Sequence, residues 1–75
     1  MNQNLLPAKG RYQHFKGGLY LLVDVASHSE TLEPYVVYRA LYGEQGLWVR
    51  PLTMFTETVI HQGQEIPRFR FLGDE

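Results

Sequence analysis

The stretch RYQHFKGGLYLLVDVA, residues 11–26, contains two β-like segments on either side of a glycine pair. Gly17 and Gly18 tolerate positive φ angles, and the pair therefore predicts a tight hairpin turn. The return strand, residues 19–26, has aliphatic side chains at its odd positions and a mixture at its even positions. Because side chains alternate along a strand, we expect the odd positions to face the core. These positions are Leu19, Leu21, Val23 and Val25.

The middle of the chain continues as short segments punctuated by glycine and proline. Residues 27–34 are polar almost throughout and predict an ordered loop rather than a helix. Residues 35–42 have the strongest β propensity, and the sequence GEQG at 43–46 predicts a second hairpin into residues 47–52. Pro51 has no N–H to donate to a neighbouring strand. It therefore places the end of this strand at a sheet edge or terminus.

The chain ends with a short helical turn and a last strand. Thr53 is a candidate N-cap for a single helical turn over residues 54–57. Residues 59–61 and 68–72 are β-like and lie on either side of a turn around Gly63.

The order of these segments predicts the fold class. Five short strands, a polar loop after the second and a helical turn before the last predict a mainly β fold, a small five-stranded SH3-like barrel. An OB-like barrel is the alternative, but it usually has a longer helix between its third and fourth strands. We expect a flexible leader over residues 1–9 and a single domain over residues 10–75.

Composition excludes several classes of protein. The chain has 75 residues, 44% of them hydrophobic, which leaves room for one hydrophobic core. It contains no cysteine, so it lacks the disulfides of small secreted domains, and we expect a cytoplasmic location. The net charge of −1 argues against a dedicated nucleic-acid binder. The longest apolar run, residues 19–23, is far below the roughly 20 residues of a membrane span.

No pattern in the chain predicts a cofactor, a metal site or a catalytic relay. His14, His28 and His61 are far apart in sequence, and no cysteine is present to complete a zinc site. His28, Ser29 and Glu30 include the side-chain types of a hydrolase. However, neighbouring side chains of an extended segment point to opposite faces and cannot form a relay. We therefore expect turn chemistry at these positions.

The tyrosines, the tryptophan and the arginines are the more informative residues. Four phenylalanines and many aliphatic residues are enough to fill a small core, so we expect the tyrosines and Trp48 to be surplus to it. Several of them lie close in sequence to Arg39 or Arg50. Tyrosine, tryptophan and arginine dominate binding hot spots, and a guanidinium binds carboxylate or phosphate with a planar fork. The alternative is ordinary packing of arginine stems on aromatic rings.

Six short segments also carry a resemblance to a known family. They are GRYQHFKG at 10–17, VASHSET at 25–31, VVY at 36–38, LYG at 41–43, LWVRP at 47–51 and MF at 54–55. Together they resemble a small bacterial family known only as domain of unknown function number 1653. The resemblance implies a short soluble bacterial protein, often standing alone, and it implies no activity. The family pattern usually has a basic residue where this chain has Ser27.

These observations predict one surface site, framed in an SH3-like barrel by the long loop after the second strand. We expect seven side chains to line it: His14, His28, Glu30, Tyr38, Arg39, Trp48 and Arg50. The leading hypothesis is a non-enzymatic, monomeric binding module for a peptide or an acidic ligand. One alternative is a hydrolase or transferase that uses His14 or His28 with Glu30. Another is weak single-stranded nucleic-acid binding by stacking on tyrosines.

Overall fold

In the computed structural model, which describes residues 6–73, the protein folds into two antiparallel β-sheets and one short helix. In chain order the elements are β1 (Gly10–His14), β2 (Leu19–Ser27), β3 (Pro34–Ala40), β4 (Leu47–Pro51), α1 (Leu52–Phe55), β5 (Thr58–His61), β6 (Gln64–Pro67) and β7 (Phe69–Gly73). Five strands form one sheet in the order β4-β3-β2-β1-β7, and β5 and β6 form a separate hairpin. The mainly β prediction is confirmed.

The sheets are open, so the closed five-stranded barrel is not found. Within residues 6–73, β4 and β7 are the two edges of the larger sheet, and no hydrogen-bonded pairing joins them. Residues 6–73 form seven strands rather than the five expected, because an additional hairpin precedes the last strand. Gln62 and Gly63 adopt φ angles of 54° and 79°, which fit a two-residue hairpin turn. The second strand of this hairpin is polar and ends in proline, so its sequence does not suggest a strand.

A β-bulge in β2 changes which side chains face the core. The pairing of β2 with β3 contains an extra residue, Val23, between Leu22 and Asp24. Leu22 is buried at 2% exposure, whereas Val23 is 39% exposed. Beyond the bulge, Val25 also packs against the core. The prediction that the odd positions of this strand form the core face is therefore wrong before the bulge, where Leu19 is exposed as well.

The two glycines of the first turn are required for different reasons. Gly17 has a φ of 109°, as the hairpin prediction anticipates. Gly18 has no positive φ, and the space beside it decides its identity. A Cβ atom there would lie 3.2 Å from the ring of Tyr20 and 3.3 Å from the ring of Tyr42. Glycine at this position therefore allows the two tyrosines to pack closely against the turn.

Aromatic rings form the centre of the core. The buried cluster consists of Tyr12, Leu22, Val36, Tyr38, Phe55 and Phe69. Phe55 stacks on Phe69 with ring centroids 4.1 Å apart, and the rings of Tyr12 and Tyr38 approach Phe55 at 5.3 and 5.5 Å. The expectation that the tyrosines are surplus to the core is wrong for these two, which are each 5% exposed. Large rings bury more apolar area per residue, which suits a chain this short.

The segment between β2 and β3 is the ordered loop that the sequence predicts. Its backbone is held by hydrogen bonds from the Leu32 N–H to the His28 carbonyl and from the His28 N–H to the Glu33 carbonyl. Leu32 adopts a left-handed φ of 67°. This conformation interrupts any helix and returns the chain into β3.

The expected leader over residues 1–9 is described only from residue 6 onward, and residues 1–5 lie outside the described part of the chain. The Tyr12 hydroxyl donates a hydrogen bond of 2.7 Å to the Ala8 carbonyl, which ties residue 8 to β1. The described part of the chain contains no helix with the length and apolar character of a membrane span.

Candidate functional site

Five side chains at one end of the larger sheet enclose a surface depression. Tyr38 lies opposite Trp48 in the β3–β4 pairing, and Arg50 is on the same face two residues later. Tyr20 on β2 packs edge-on against Tyr38 with ring centroids 5.3 Å apart. Tyr42, in the loop after β3, completes the wall. We call this depression, lined by Tyr20, Tyr38, Tyr42, Trp48 and Arg50, the tyrosine–arginine pocket; its volume is about 210 Å³.

Tyr20 is the central ring of the pocket wall. Its ring contacts those of Tyr42 and Phe69 at 5.5 and 5.6 Å, and its hydroxyl shares a short hydrogen bond with the Tyr42 hydroxyl. Burial, followed by this hydrogen bond, raises the pKa of Tyr20 to about 12. The phenol is therefore neutral at physiological pH. It brings no negative charge to the pocket and remains available for hydrogen bonding.

Arg50 supplies the positive charge of the pocket. Its Nε–H donates to the Tyr38 hydroxyl at 3.3 Å, and its guanidinium lies 5.6 Å from the centroid of the Phe69 ring. Among residues 6–73, no carboxylate lies within ion-pair distance of Arg50, whereas Arg68 is paired with Glu57. The terminal NH₂ groups of Arg50 also have no hydrogen-bond acceptor within the described chain. Such a guanidinium can accept a carboxylate or phosphate oxygen.

Trp48 forms an exposed wall beside that charge. Its side chain is 59% exposed, and among the described residues its indole ring stacks on no other aromatic ring. Within residues 6–73, the indole N–H has no hydrogen-bond acceptor. The indole nitrogen lies about 4.0 Å from the position that a Cβ atom on Gly46 would occupy. A large exposed indole next to a guanidinium is typical of binding surfaces.

His14 lies beside the pocket rather than in it. The centroid of its ring lies 4.9 Å from that of the Phe69 ring and 6.5 Å from that of the Tyr20 ring. Its Nδ1 accepts a hydrogen bond from the Lys16 N–H. Burial lowers the pKa of His14, and the positive charges of Arg50, Arg68 and Lys16 lower it further. The imidazole is therefore neutral at pH 7.

The lowered pKa of His14 predicts how stability depends on pH. Between the ordinary pKa of 6.5 and the lower folded-state value, the unfolded chain binds a proton that the folded chain does not. We therefore expect the free energy of unfolding to decrease as the pH falls below about 6.5. Urea unfolding at pH 7.5 and 5.5 checks this. The decrease should be smaller in His14→Gln, and an equal decrease in both proteins would contradict the assignment.

The remaining predicted site residues lie elsewhere. In the β2–β3 pairing, Tyr20 is near one end and Ser27 lies at the other, where His28 begins the polar loop. His28 Nδ1 accepts the backbone N–H groups of Glu30 and Thr31, which is the turn chemistry expected from its sequence. Its ring lines a separate, mainly apolar depression of about 250 Å³ with Ala26, Ser27, Tyr35 and Val49. The structure therefore does not bring His28 and Glu30 to the tyrosine–arginine pocket.

Arg39 is also absent from the pocket. It lies on the opposite face of β3 from Tyr38, and its guanidinium donates to the Gln45 carbonyl at 2.8 Å. The structure thus brings together Tyr38, Trp48 and Arg50, places His14 beside them, and separates the other three predicted residues. It also separates His14 from His28 and Glu30. Within residues 6–73, no group of three metal-ligating side chains is present.

Two pocket residues were not predicted as site residues. The sequence predicts Tyr20 and Tyr42 only as aromatic residues surplus to the core, and neither is among the seven expected site residues. The signal for Tyr20 is its even position in β2. Leu22 is also at an even position, so before the bulge Tyr20 lies on the core-facing side of the strand with Leu22 and not with the aliphatic odd positions. The signal for Tyr42 is its parity with Tyr38 in the predicted strand over residues 35–42, and it holds although β3 ends at Ala40.

The fold and the pocket define a small mainly β protein with an aromatic and arginine-lined surface depression. The sequence pattern of the family described as protein of unknown function (DUF1653) matches residues 10–71, and the chain belongs to this family. The resemblance seen in the sequence is thereby confirmed. The chain is also similar to a DUF1653 protein from Bordetella bronchiseptica of known crystal structure, with 37% identity and a TM-score of 0.83, over 91% of this chain and 90% of that one. No curated protein matches the chain.

Proposed function

We propose that the protein is a binding module whose tyrosine–arginine pocket accepts one anionic group, the carboxylate of a peptide or of a small acidic ligand. The observation that carries this proposal is the unpaired guanidinium of Arg50 within residues 6–73, beside the exposed ring of Trp48. Arginine binds carboxylates through two parallel N–H···O bonds, and a neighbouring ring excludes water from them.

The size of the pocket supports a single group rather than a whole cofactor. Pockets for drug-sized ligands usually have volumes of about 300–1,000 Å³. The tyrosine–arginine pocket, at about 210 Å³, is smaller and fits one acidic side chain or chain end. A contact of this size predicts weak affinity for an isolated group, with a dissociation constant on the order of 1 mM.

The nucleic-acid alternative has less support. Single-stranded nucleic acids usually bind along a positively charged groove with several stacking rings. Here the exposed ring of Trp48 stands beside one arginine, and the chain carries a net charge of −1. The hydrolase alternative loses support because His14 lies at the other end of the sheet from His28 and Glu30.

Three finer proposals accompany this function. We propose an SH3-like arrangement, since β7 pairs with β1 and so returns the last strand beside the first. We also propose a bacterial, cytoplasmic protein, supported by the absence of cysteine and by the bacterial source of the similar structure. A monomer is the default state, because no described feature requires a second copy.

Fluorescence of Trp48 tests the proposed function directly, because it is the single tryptophan of the chain. The probe is glutamate capped as an N-acetyl α-amide, which presents one carboxylate. The control is the capped glutamine, a neutral molecule of the same shape. We expect a saturable change with the glutamate probe that weakens as salt is added, and no saturable change with glutamine. Equal responses to both molecules would contradict an anion site.

A further inference from the structure

One edge of the larger sheet is open next to the tyrosine–arginine pocket. β4 is the terminal strand of that sheet, and within residues 6–73 it pairs only with β3. An edge strand presents backbone N–H and C=O groups that can pair with another extended chain. The same strand carries Trp48 and Arg50, so the open edge and the pocket are adjacent.

The pairing of β3 with β4 identifies the backbone groups on the open edge. The Ala40 N–H donates to the Gly46 carbonyl at 3.1 Å, which makes these opposite residues a hydrogen-bonded pair. Because such pairs alternate in antiparallel sheets, Trp48 and Arg50 bond to β3, while Leu47 and Val49 direct their backbone groups outward. Pro51 is also at an outward position, where its missing N–H does no harm. The prediction that this proline lies at a sheet edge is confirmed.

The two faces of β4 differ in chemistry. Leu47 and Val49 lie on the outer face and are 56% and 62% exposed. Trp48 and Arg50 lie on the other face and border the pocket. A strand added beside β4 would therefore place alternate side chains against aliphatic groups and against a ring with a guanidinium. An alternation of aliphatic and acidic residues fits both faces.

We propose that β4 binds an extended acidic peptide as an added strand, with its aliphatic side chains beside Leu47 and Val49 and an acidic side chain in the tyrosine–arginine pocket. The acidic contact rests on the proposed function, whereas the backbone pairing does not. The main chain supplies affinity and the alternating side chains supply specificity, as in other cases of strand addition. The Arg50 guanidinium borders this edge and has no carboxylate partner within residues 6–73, which favours an acidic partner.

A second copy of this chain fits the edge less well. Two β4 strands paired about Val49 would bring two Arg50 guanidinium groups to neighbouring positions on one face, with no carboxylate from the described residues between them. Each Pro51 would also fail to return a hydrogen bond to Leu47 of the other copy. An acidic peptide meets neither obstacle.

The test uses the capped peptide Thr-Val-Glu-Val-Glu-Val-Thr and two doubly N-methylated forms. In the bound peptide the valines pair with the outward groups of β4, and the glutamate N–H groups point away. N-methylation of two valines should weaken binding by about tenfold or more, because two hydrogen bonds are lost. N-methylation of the two glutamates should change affinity little. Equal weakening by both modifications, or none by either, would overturn strand addition.

Variants of β4 provide the complementary test. Val49→Pro removes an outward N–H that the fold does not use, and it should lose peptide binding while still responding to capped glutamate. Val49→Thr keeps the N–H and should bind the peptide. If Val49→Pro binds the peptide normally and Arg50→Ala does not, strand addition is overturned and the anion pocket stands. If wild-type protein ignores the peptide but forms a dimer that Val49→Pro abolishes, a second copy occupies the edge and the peptide proposal fails.

Discussion

Replacing Phe55 by alanine is expected to lower the free energy of unfolding by about 3–5 kcal/mol. The Phe55 side chain is 1% exposed, stacks on Phe69 and meets the rings of Tyr12 and Tyr38 edge-on. Its removal leaves a cavity in a core that has few other large buried side chains. Small domains have total stabilities near the lower end of about 5–15 kcal/mol. A large fraction of the variant should therefore be unfolded at 37 °C.

Phe71→Ala is the matched control for that prediction. Phe71 is 46% exposed, and its ring contacts Tyr12 at 5.2 Å without entering the buried cluster. We expect it to cost about 1 kcal/mol or less. Urea unfolding followed by circular dichroism compares the two variants. If Phe55→Ala loses no more stability than Phe71→Ala, the aromatic core described above is incorrect.

Replacing Arg50 by alanine is expected to weaken binding of capped glutamate by about tenfold or more. Hydrogen bonds to a charged group contribute about 1.5–3 kcal/mol, and a loss of about 1.4 kcal/mol corresponds to a factor of ten. The readout is the fluorescence titration of Trp48. Arg50→Lys keeps the charge but not the planar fork, so it should retain part of the affinity.

Arg70→Ala controls for the loss of one positive charge. Arg70 is exposed on β7 and donates to the Gln13 side chain, away from the tyrosine–arginine pocket. Its replacement should leave the affinity nearly unchanged. Circular dichroism establishes that the variants are folded, since Arg50 also contacts Tyr38 and Phe69. Equal weakening by Arg50→Ala and Arg70→Ala would indicate general charge attraction instead of a site.

Local sequence signals predicted much of the fold. The Gly17 turn, the polar loop after β2 and the edge position of Pro51 follow from backbone conformations and hydrogen-bonding capacities that each residue carries by itself. The bulge at Val23 does not, because the match between β2 and β3 across the whole sheet sets it. Sheet closure likewise depends on distant edges, and neighbouring residues do not encode it.

The candidate site shows the same difference between features that local sequence predicts and features that depend on distant parts of the chain. Trp48 and Arg50 are two residues apart in a predicted strand, so alternation alone places them on one face, and they share a pocket in the structure. His28 and Glu30 lie in a segment that carries the family resemblance, but a resemblance in sequence does not establish proximity in the folded protein. Alternation alone does not place Tyr20 in the site, because the bulge in β2 exchanges the faces to which odd and even positions point.

The most direct test of an anion-binding pocket is the two-dimensional NMR spectrum of ¹⁵N-labelled protein titrated with capped glutamate. The pocket predicts that the largest shifts occur at the Trp48 indole N–H, the Arg50 Nε–H and the backbone amide of Tyr42. Signals of His28 and Tyr35, in the separate depression, should remain in place. An anion site in this pocket is contradicted if the largest shifts occur at those two residues, or if capped glutamine produces the same pattern as glutamate.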